Sequence, residues 1–277
     1  MSPIIEVEDV WHIYPPNITA LKGVTLRIEL GESIALIGQN GGGKTTLAKH
    51  FNGLLKPTRG KVLVKGVDTK TRDTGDLALT VGYVFQNPIH QIFSSTVYDE
   101  IAFGPKNIGM TGKELEERVM KTIEEVGLSG YEKTHPYDLD YGKMKLLTIA
   151  SIMAMNPDVY CLDEPTTGQD HVGRRTVAAL VKRLNAKGAT VITITHDMRF
   201  VANVAQRIIL MADGTILADG PTRAIFQNKQ TLQSAQIKPP QITQLAEGLS
   251  EYSIPKDILT TNEMALAIRS KLQGNRL

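Results

Sequence analysis

Short runs of alternating apolar and polar residues dominate the N-terminal part of the chain, and this is the pattern of half-buried strands. Such runs cover residues 4–13 and Ala20–Leu30, and a continuous apolar run follows at Ser33–Ile37. Shorter β-like segments lie around Val62–Val64 and Val81–Phe85. The pattern therefore predicts an N-terminal part that is rich in strands.

A helical pattern replaces the alternation further along the chain. The segment FQNPIHQIFSSTVYDEIAFGP predicts a loop and then a helix that is interrupted at Gly104-Pro105. Residues Glu114–Val126 place their apolar side chains on one face, at Leu115, Val119, Ile123 and Val126. We expect a helical subdomain at about residues 88–157, inserted between segments that are rich in strands.

The periodicity changes again after this region. Thr190–Thr195 (TVITIT) predicts a buried parallel strand. Residues 207–219 predict a hairpin that turns at Asp213-Gly214. Between the helical region and this strand, one helix is predicted from Val177, Leu180, Val181 and Leu184 on a common face.

Beyond residue 228 the sequence becomes polar and resembles a linker as far as Pro239-Pro240. Two short amphipathic helices are predicted after it, the second behind a capping box formed by Thr260 and Glu263. The chain thus divides into residues 1–228 and a C-terminal extension of residues 229–277. Such a short extension cannot bury a core of its own, so it should dock on the main domain or on a partner.

Between the apolar run Ser33–Ile37 and the next predicted helix lies GQNGGGKTT, residues Gly38–Thr46. It fills every fixed position of the phosphate-loop pattern, in the strand–loop–helix setting that the pattern requires. Glycines let successive N–H groups turn towards an anion, and the following helix directs its positive end to the same place. Lys44 adds a charge near the outer phosphates, and the Thr45 hydroxyl is a ligand for Mg²⁺. The alternative is a glycine-rich turn that binds nothing. The residues predicted to contact the nucleotide are Gly38, Asn40, Gly41, Gly42, Gly43, Lys44, Thr45 and Thr46.

A second group of candidate residues follows the apolar run Val159–Leu162. Asp163 and Glu164 stand at its end, where parallel strands of α/β sheets present ligand-binding side chains. Asp163 is interpreted as the acid on the Mg²⁺ side, and Glu164 as the group that orients or deprotonates an attacking water. An acidic pair that only caps a helix is the alternative. His196, at the end of the predicted strand Thr190–Thr195, should lie at the same edge of the sheet.

Composition narrows the classes of function. The chain has 277 residues and a net charge of +2, which argues against a general nucleic-acid binder. A single cysteine, Cys161, excludes a disulfide framework and fits a reducing compartment. The N-terminal sequence lacks the features of a secretory signal, and the apolar stretch Leu146–Met155 is too short to cross a bilayer. Any membrane role is expected to depend on partners.

With these motifs in place, residues 4–227 resemble the ATP-binding cassette (ABC) family. The resemblance identifies Gly38–Thr46 with the Walker A loop, and Val159–Asp163 with Walker B. It makes Glu164 the catalytic glutamate. The fold that it implies is α/β: a P-loop NTPase core with a β-rich N-terminal part, an inserted helical subdomain and a small helical extension.

Four further positions match the family residue by residue. Gln86 matches the Q-loop glutamine that faces the metal and the transporter. Asp170 matches the D-loop aspartate, and the resemblance adds it to the predicted nucleotide contacts. His196 matches the switch histidine. The position of Tyr14 after a strand, taken alone, favours an ordinary packed tyrosine. The resemblance instead makes it an adenine-stacking aromatic, because Tyr14 falls where the family places one.

One family motif departs from its pattern. The signature L-S-G-G-Q corresponds here to Leu139-Asp140-Tyr141-Gly142-Lys143, which keeps only the leucine and the second glycine. In the family this loop contacts the γ-phosphate held by the other subunit of a dimer, so Asp140 and Gly142 belong to the predicted nucleotide contacts. A carboxylate at position 140 opposes a phosphate, and we therefore expect a heterodimer with a second ATPase subunit that has an intact signature. A working homodimer whose loop tolerates the changes is the alternative.

The subgroup that the chain resembles is the ATPases of energy-coupling-factor importers. The segments FQNPIHQIFSSTVYDEIAFGP and KPPQITQLA carry that resemblance. It implies Mg-ATP hydrolysis at the cytoplasmic face of the cell membrane, with an integral coupling subunit and a substrate-binding membrane subunit for a vitamin or transition-metal ion. A soluble cassette ATPase of DNA repair or translation, and a module that binds ATP without hydrolysing it, are the alternatives.

Overall fold

The computed structural model describes residues 3–274. Its strands are β1 (Ile5–Tyr14), β2 (Ile18–Ile28), β3 (Ser33–Gly38), β4 (Arg59–Val64), β5 (Val67–Asp68), β6 (Val81–Val84), β7 (Val159–Asp163), β8 (Thr190–Ile194), β9 (Arg207–Ala212) and β10 (Thr215–Pro221). Its helices are α1 (Lys44–Phe51), α2 (Thr74–Ala78), α3 (Val97–Asn107), α4 (Gly112–Val126), α5 (Tyr141–Met155), α6 (His171–Ala186), α7 (Met198–Val204), α8 (Thr222–Gln227), α9 (Lys229–Ser234), α10 (Gln241–Gly248) and α11 (Thr261–Gly274).

The strands form two sheets. The smaller one has the order β2-β1-β4-β5 and is antiparallel. The larger has the order β10-β9-β3-β8-β7-β6, in which β3 runs parallel to both of its neighbours. Every residue of β3 is buried, as expected for the continuous apolar run that forms it. This central strand therefore carries the glycine loop out of the middle of the sheet.

The carboxyl ends of β3, β6, β7 and β8 lie at one edge of the larger sheet. The register pairs Leu36 with Ile194, Ile194 with Asp163, and Leu162 with Val84. The residues that follow these strands, which include the glycine loop and the Asp163-Glu164 pair, thus meet at this edge. The predicted hairpin is also present, with β9 and β10 antiparallel and the turn at residues 213–214.

Helices α3, α4 and α5 pack together through an apolar cluster that extends to the sheet and to α6. The prediction that Gly104-Pro105 interrupts the first of these helices is wrong, because α3 continues to Asn107. Pro105 lies in the last turn, where a proline costs one backbone hydrogen bond. Gly104 allows close contact with α5: a Cβ atom there would lie 2.5 Å from Cγ of Met155. Packing against α5 therefore outweighs the local helix-breaking preference.

The polar stretch after residue 228 is not a simple linker. Residues 229–234 form α9, which begins at an Asn228 cap and buries Leu232 against Ile225 and Phe226. Leu259 joins the same cluster, and the Arg223 guanidinium binds the Glu263 carboxylate at 2.9 Å. The C-terminal helices thus dock on the main part of the chain.

The start of α11 follows the predicted capping box only in part. The Glu263 N–H donates to Thr260 Oγ1 at 3.2 Å, but the Glu263 carboxylate accepts from the Leu259 N–H at 2.9 Å. The glutamate is drawn away from the threonine backbone by its ion pair with Arg223.

Two further features bear on function. Cys161 is fully buried in β7, and burial raises the pKa of its thiol. Within residues 3–274, no helix combines the length and the apolar character that a membrane crossing needs.

Candidate functional site

The glycine loop has a backbone shape that side chains would prevent. Gly38 has a φ of 145°, and a Cβ atom there would lie 1.9 Å from the carbonyl oxygen of Met211. Gly43 has a φ of 95° and faces the Ala20 carbonyl oxygen. No side chain caps the first turn of α1. The loop and the helix N-terminus therefore present backbone N–H groups to one space, as an anion site requires.

Lys44 lies within the loop and is almost completely buried. Its Nζ donates to the carbonyl oxygens of Gly38 at 2.9 Å and Gln39 at 2.8 Å. Burial lowers the pKa of Lys44, and the charges of Glu164 and Asp163 oppose that shift. The ammonium group is thus held beside the loop, close to two carboxylates.

Asp163 connects the two motifs. Its Oδ2 accepts hydrogen bonds from Thr45 Oγ1 at 3.1 Å and from the Tyr83 hydroxyl at 2.9 Å. Burial raises the pKa of Asp163, and these two hydrogen bonds act in the opposite direction. A hydroxyl and a carboxylate held this close are a suitable donor set for a hard cation such as Mg²⁺.

Glu164 stands beside it in an unusual conformation. Its φ is 48°, in the left-handed region that a glutamate rarely adopts. Its Oε1 lies 2.8 Å from Nδ1 of His196, and its Oε2 accepts from Thr195 Oγ1 at 3.2 Å. Backbone strain of this kind is concentrated at functional sites. The carboxylate is therefore held in a fixed orientation at the edge of the sheet.

A cavity of about 250 Å³ brings most of these groups together. Its lining consists of Ala20, Asn40, Gly41, Gly42, Gly43, Lys44, Thr45, Thr46, Gln86, Asp163, Glu164 and Ile194. Gly38 lies beneath it as an acceptor for Lys44. Tyr14 lies beside it, with its hydroxyl 3.3 Å from Thr46 Oγ1. His196 does not line the cavity but contacts Glu164, which does, and the His196 side chain is 73% exposed.

The predicted residues at the starts of α5 and α6 form a separate group that does not line this cavity. Asp140 caps α5 by accepting from the Lys143 N–H at 2.8 Å, and its carboxylate also pairs with the Lys143 ammonium. Asp170 caps α6 in the same way. The two helix starts are linked, because Gln169 Nε2 donates to the Gly142 carbonyl oxygen at 2.8 Å.

The ring of Tyr141 lies directly over the D-loop segment. A Cβ atom on Gly168 would be 2.3 Å from Cδ1 of this ring. The tyrosine therefore occupies the space above Gly168, and only glycine fits beneath it.

Three groups near the site were missed by the sequence reasoning. Tyr83 is one of the four consecutive buried residues of β6, and its position in this short strand gave no reason to single it out. Thr195 directly precedes His196 at a strand end, and that position could have identified it. Lys145 is a cation directly before the apolar stretch of α5 that begins at Leu146, and this contrast was the available signal.

Comparison with known proteins defines the class. A family model described as ABC transporter matches residues 21–167, which is more than half of the chain. The match includes the glycine loop, Gln86, Asp163 and Glu164. The chain therefore belongs to the ABC transporter family and is an ABC-type ATPase.

Individual relatives show which members of the family this chain is similar to. The energy-coupling factor transporter ATP-binding protein EcfA of Methanocaldococcus jannaschii is 41% identical, over 90% of each chain. An ABC transporter ATP-binding protein of Caldanaerobacter subterraneus is 47% identical over 94% of this chain, which spans only 45% of that relative. The solved structure of cbiO1 from Clostridium perfringens, part of the ABC transporter complex cbiONQ, has a TM-score of 0.75 and 31% identity, covering 89% of this chain and 100% of that one.

Proposed function

We propose that this chain is the ATP-hydrolysing subunit of an energy-coupling-factor-type importer, and that it binds Mg-ATP in the cavity at the edge of the larger sheet. The observation that carries the proposal is the connected set of Thr45, Asp163, Glu164 and His196 beside the glycine loop. The names of the relatives support the transporter class.

The residues present fit a magnesium-bound triphosphate. The loop follows a backbone path that side chains at Gly38 and Gly43 would block, and the N–H groups at the start of α1 have no side-chain cap. Thr45 and Asp163 provide oxygen ligands for the cation, and Gln86 adds an amide oxygen on the same cavity wall. When bound, Mg²⁺ neutralises charge that develops on the phosphates.

Each protein group then has a defined task. Lys44 provides a positive charge at the outer phosphates. The Glu164 carboxylate orients the attacking water and accepts its proton. Thr195 and His196 hold the two oxygens of this carboxylate, so the base keeps its orientation between turnovers. Tyr14, beside the loop, provides an aromatic ring for the adenine.

The second half of each ATP site is assigned to a different ATPase subunit, in a heterodimer. The start of α5 presents the Asp140 carboxylate, and the pair with Lys143 offsets its charge only in part. A partner with an intact signature would complete the site that is built on Lys44 and Glu164. The C-terminal extension, residues 229–277, exposes Leu245, Leu266 and Leu272, and these side chains are assigned to dimer contacts.

We assign the contact with the membrane partners to an exposed apolar patch that follows the Q-loop in the sequence. The apolar patch consists of Ile89, Phe93 and Phe103, which are 52%, 63% and 47% exposed. The two phenylalanine rings pack edge to face, 4.7 Å apart. Exposed apolar clusters of this kind mark interaction sites. The patch thus fits an integral coupling subunit, which would hold this chain at the cytoplasmic face of the membrane. A separate membrane subunit would bind the vitamin or transition-metal ion.

The test uses the complete complex, purified from native membranes through a tag on this chain. Mg-ATP hydrolysis is measured for the wild type, for Lys44→Ala and for Lys49→Ala, a matched lysine on the other side of α1. We expect loss of hydrolysis by at least about 10²-fold for Lys44→Ala and none for the control.

Two results would contradict the proposal. One is recovery of the chain from the soluble fraction without membrane proteins, which would favour a soluble cassette ATPase. The other is ATP binding by the intact complex with no hydrolysis, which would favour a binding module.

A further inference from the structure

Lys145 is fully buried in the second turn of α5, outside the cavity. Its Nζ donates to the carbonyl oxygens of Phe85 at 2.8 Å, Asp163 at 3.1 Å and Gln86. A lysine ammonium has three hydrogens, and each finds one acceptor. The head group is therefore fully hydrogen-bonded, although its acceptors are backbone oxygens instead of a carboxylate.

Placing a charged ammonium group in a protein interior has a large unfavourable free energy. Burial of an ammonium group costs several kcal/mol unless strong hydrogen bonds compensate for it. A charge retained at this cost indicates a role for the three carbonyl groups that it holds.

The three carbonyl groups belong to segments with different tasks in the proposed function. Phe85 and Gln86 follow β6 and carry the Q-loop amide. Asp163 ends β7 and holds Thr45. The helix that supplies Lys145 is α5, whose N-terminus is capped by Asp140. One side chain thus joins the Q-loop, the Walker B strand and the signature helix.

A second residue holds the same segment against the same helix. Gln91 Oε1 accepts from the Phe85 N–H at 3.1 Å, and Gln91 Nε2 donates to the Thr148 carbonyl oxygen at 2.9 Å. The segment from Phe85 to Gln91 is therefore attached to α5 at two points, one turn of helix apart.

We propose that Lys145 is a positioning residue that fixes Gln86 and Asp163 relative to the start of α5. Lys145 thereby holds the cavity of this chain in a fixed position relative to the start of α5, which is the surface that meets the partner's nucleotide. This inference rests on the proposed function, because it assigns Lys145 to the coordination of two ATP sites.

The test combines hydrogen exchange of the full-length chain with kinetics of the complete complex. The variants are Lys145→Met, which removes all three donors, and Lys145→Gln, which keeps an amide. The matched control is Thr148→Val, which alters a buried side chain of the same helix. Its hydroxyl donates only to the Lys145 carbonyl oxygen.

We expect amides of residues 85–91 to exchange at least about tenfold faster in Lys145→Met, the effect of one lost hydrogen bond of ordinary strength. Lys145→Gln should be intermediate, and Thr148→Val should match the wild type in this segment. In the complex, kcat should fall about tenfold in Lys145→Met while the KM for ATP changes less than threefold.

Unchanged exchange at residues 85–91, in either Lys145 variant that folds, would overturn the proposal. So would equally faster exchange throughout α5 and the larger sheet, which would indicate a core role alone. The exchange measurement needs no ATP hydrolysis. A complex without ATPase activity would therefore refute the proposed function and leave the exchange result to decide on Lys145.

Discussion

We assign two regions of this chain to nucleotide binding: the Walker side, which consists of the glycine loop with Asp163 and Glu164, and the start of α5. The two regions are built differently. On the Walker side, Thr45 is hydrogen-bonded to Asp163, and the adjacent Glu164 is hydrogen-bonded to His196, around an open cavity. At the start of α5, the Asp140 carboxylate occupies the helix N-terminus and pairs with a lysine of the same turn.

The two regions differ in the hydrogen-bond acceptors of their backbone N–H groups. The Walker side leaves N–H groups of its loop free for a ligand. At the start of α5, the Asp140 carboxylate accepts the hydrogen bond of the Lys143 N–H, and this N–H is then unavailable to a phosphate. In the proposed heterodimer, these two surfaces would meet across the subunit interface. The contrast therefore favours a dimer whose two ATP sites are unequal.

The largest expected effect concerns the Walker side alone. Glu164→Gln should reduce hydrolysis in the complete complex by at least about 10²-fold, because a positioned base contributes that much. ATP binding should persist, since the glycine loop and Lys44 are unchanged. Turnover and equilibrium binding are measured together, with Glu116→Gln on the exposed face of α4 as the matched control. Normal turnover in Glu164→Gln would remove the basis of the comparison.

The next effect concerns the support of the glycine loop. His50 is buried in α1, with Nδ1 2.7 Å from the Thr46 carbonyl oxygen and Nε2 3.1 Å from His12 Nδ1. The first contact requires hydrogen on Nδ1, so Nε2 accepts from His12. Burial lowers the pKa of His50 to about 4, with a smaller contribution in the same direction from the charges of His12 and Lys70.

This shift gives a pH dependence of stability with a definite sign. Between pH 6.5 and 4 the unfolded chain binds a proton at His50 and the folded chain does not, so stability falls as the pH is lowered. At pH 5 the loss, relative to pH 8, amounts to about 2 kcal/mol. Urea unfolding of the wild type and His50→Gln across this range measures it. Parallel pH profiles of the two proteins would show that His50 is not responsible.

The smallest effect concerns the start of α5. Asp140→Ser combined with Tyr141→Gly should raise hydrolysis by this chain without its ATPase partner about fivefold. The change removes a carboxylate that opposes phosphate and a ring that covers Gly168. The double variant is compared with the wild type in a concentration series, because dimer formation limits the rate. Brisk, cooperative hydrolysis by the unmodified chain would favour a symmetric homodimer.

Local patterns were sufficient for much of the fold. The six buried residues of β3, the β9–β10 hairpin and the apolar face of α6 each follow from periodicity within one segment. Two interpretations failed because distant contacts decided the outcome. Gly104-Pro105 stays helical through its contact with Met155, and α9 forms because Leu232 finds apolar partners in α8.

In the candidate site too, some residues could be predicted from a single segment, and others depended on contacts between distant segments. Glycines and acids at strand ends have spacing that can be recognised in one segment. The contacts of Tyr83 and Lys145 join residues 80 and 18 positions apart from Asp163. Their roles depend on how the strands and α5 come together, and no single segment contains that information.

The single buried thiol of β7 makes this chain suitable for distance measurements with spin labels. Cys161 is sealed from solvent and stays protonated, so a methanethiosulfonate reagent would react only with a cysteine introduced at the surface. Val172, 69% exposed at the start of α6, is a suitable position. In a homodimer, two labels at this position would give a dipolar signal. In a heterodimer with an unlabelled partner, one label would remain magnetically isolated.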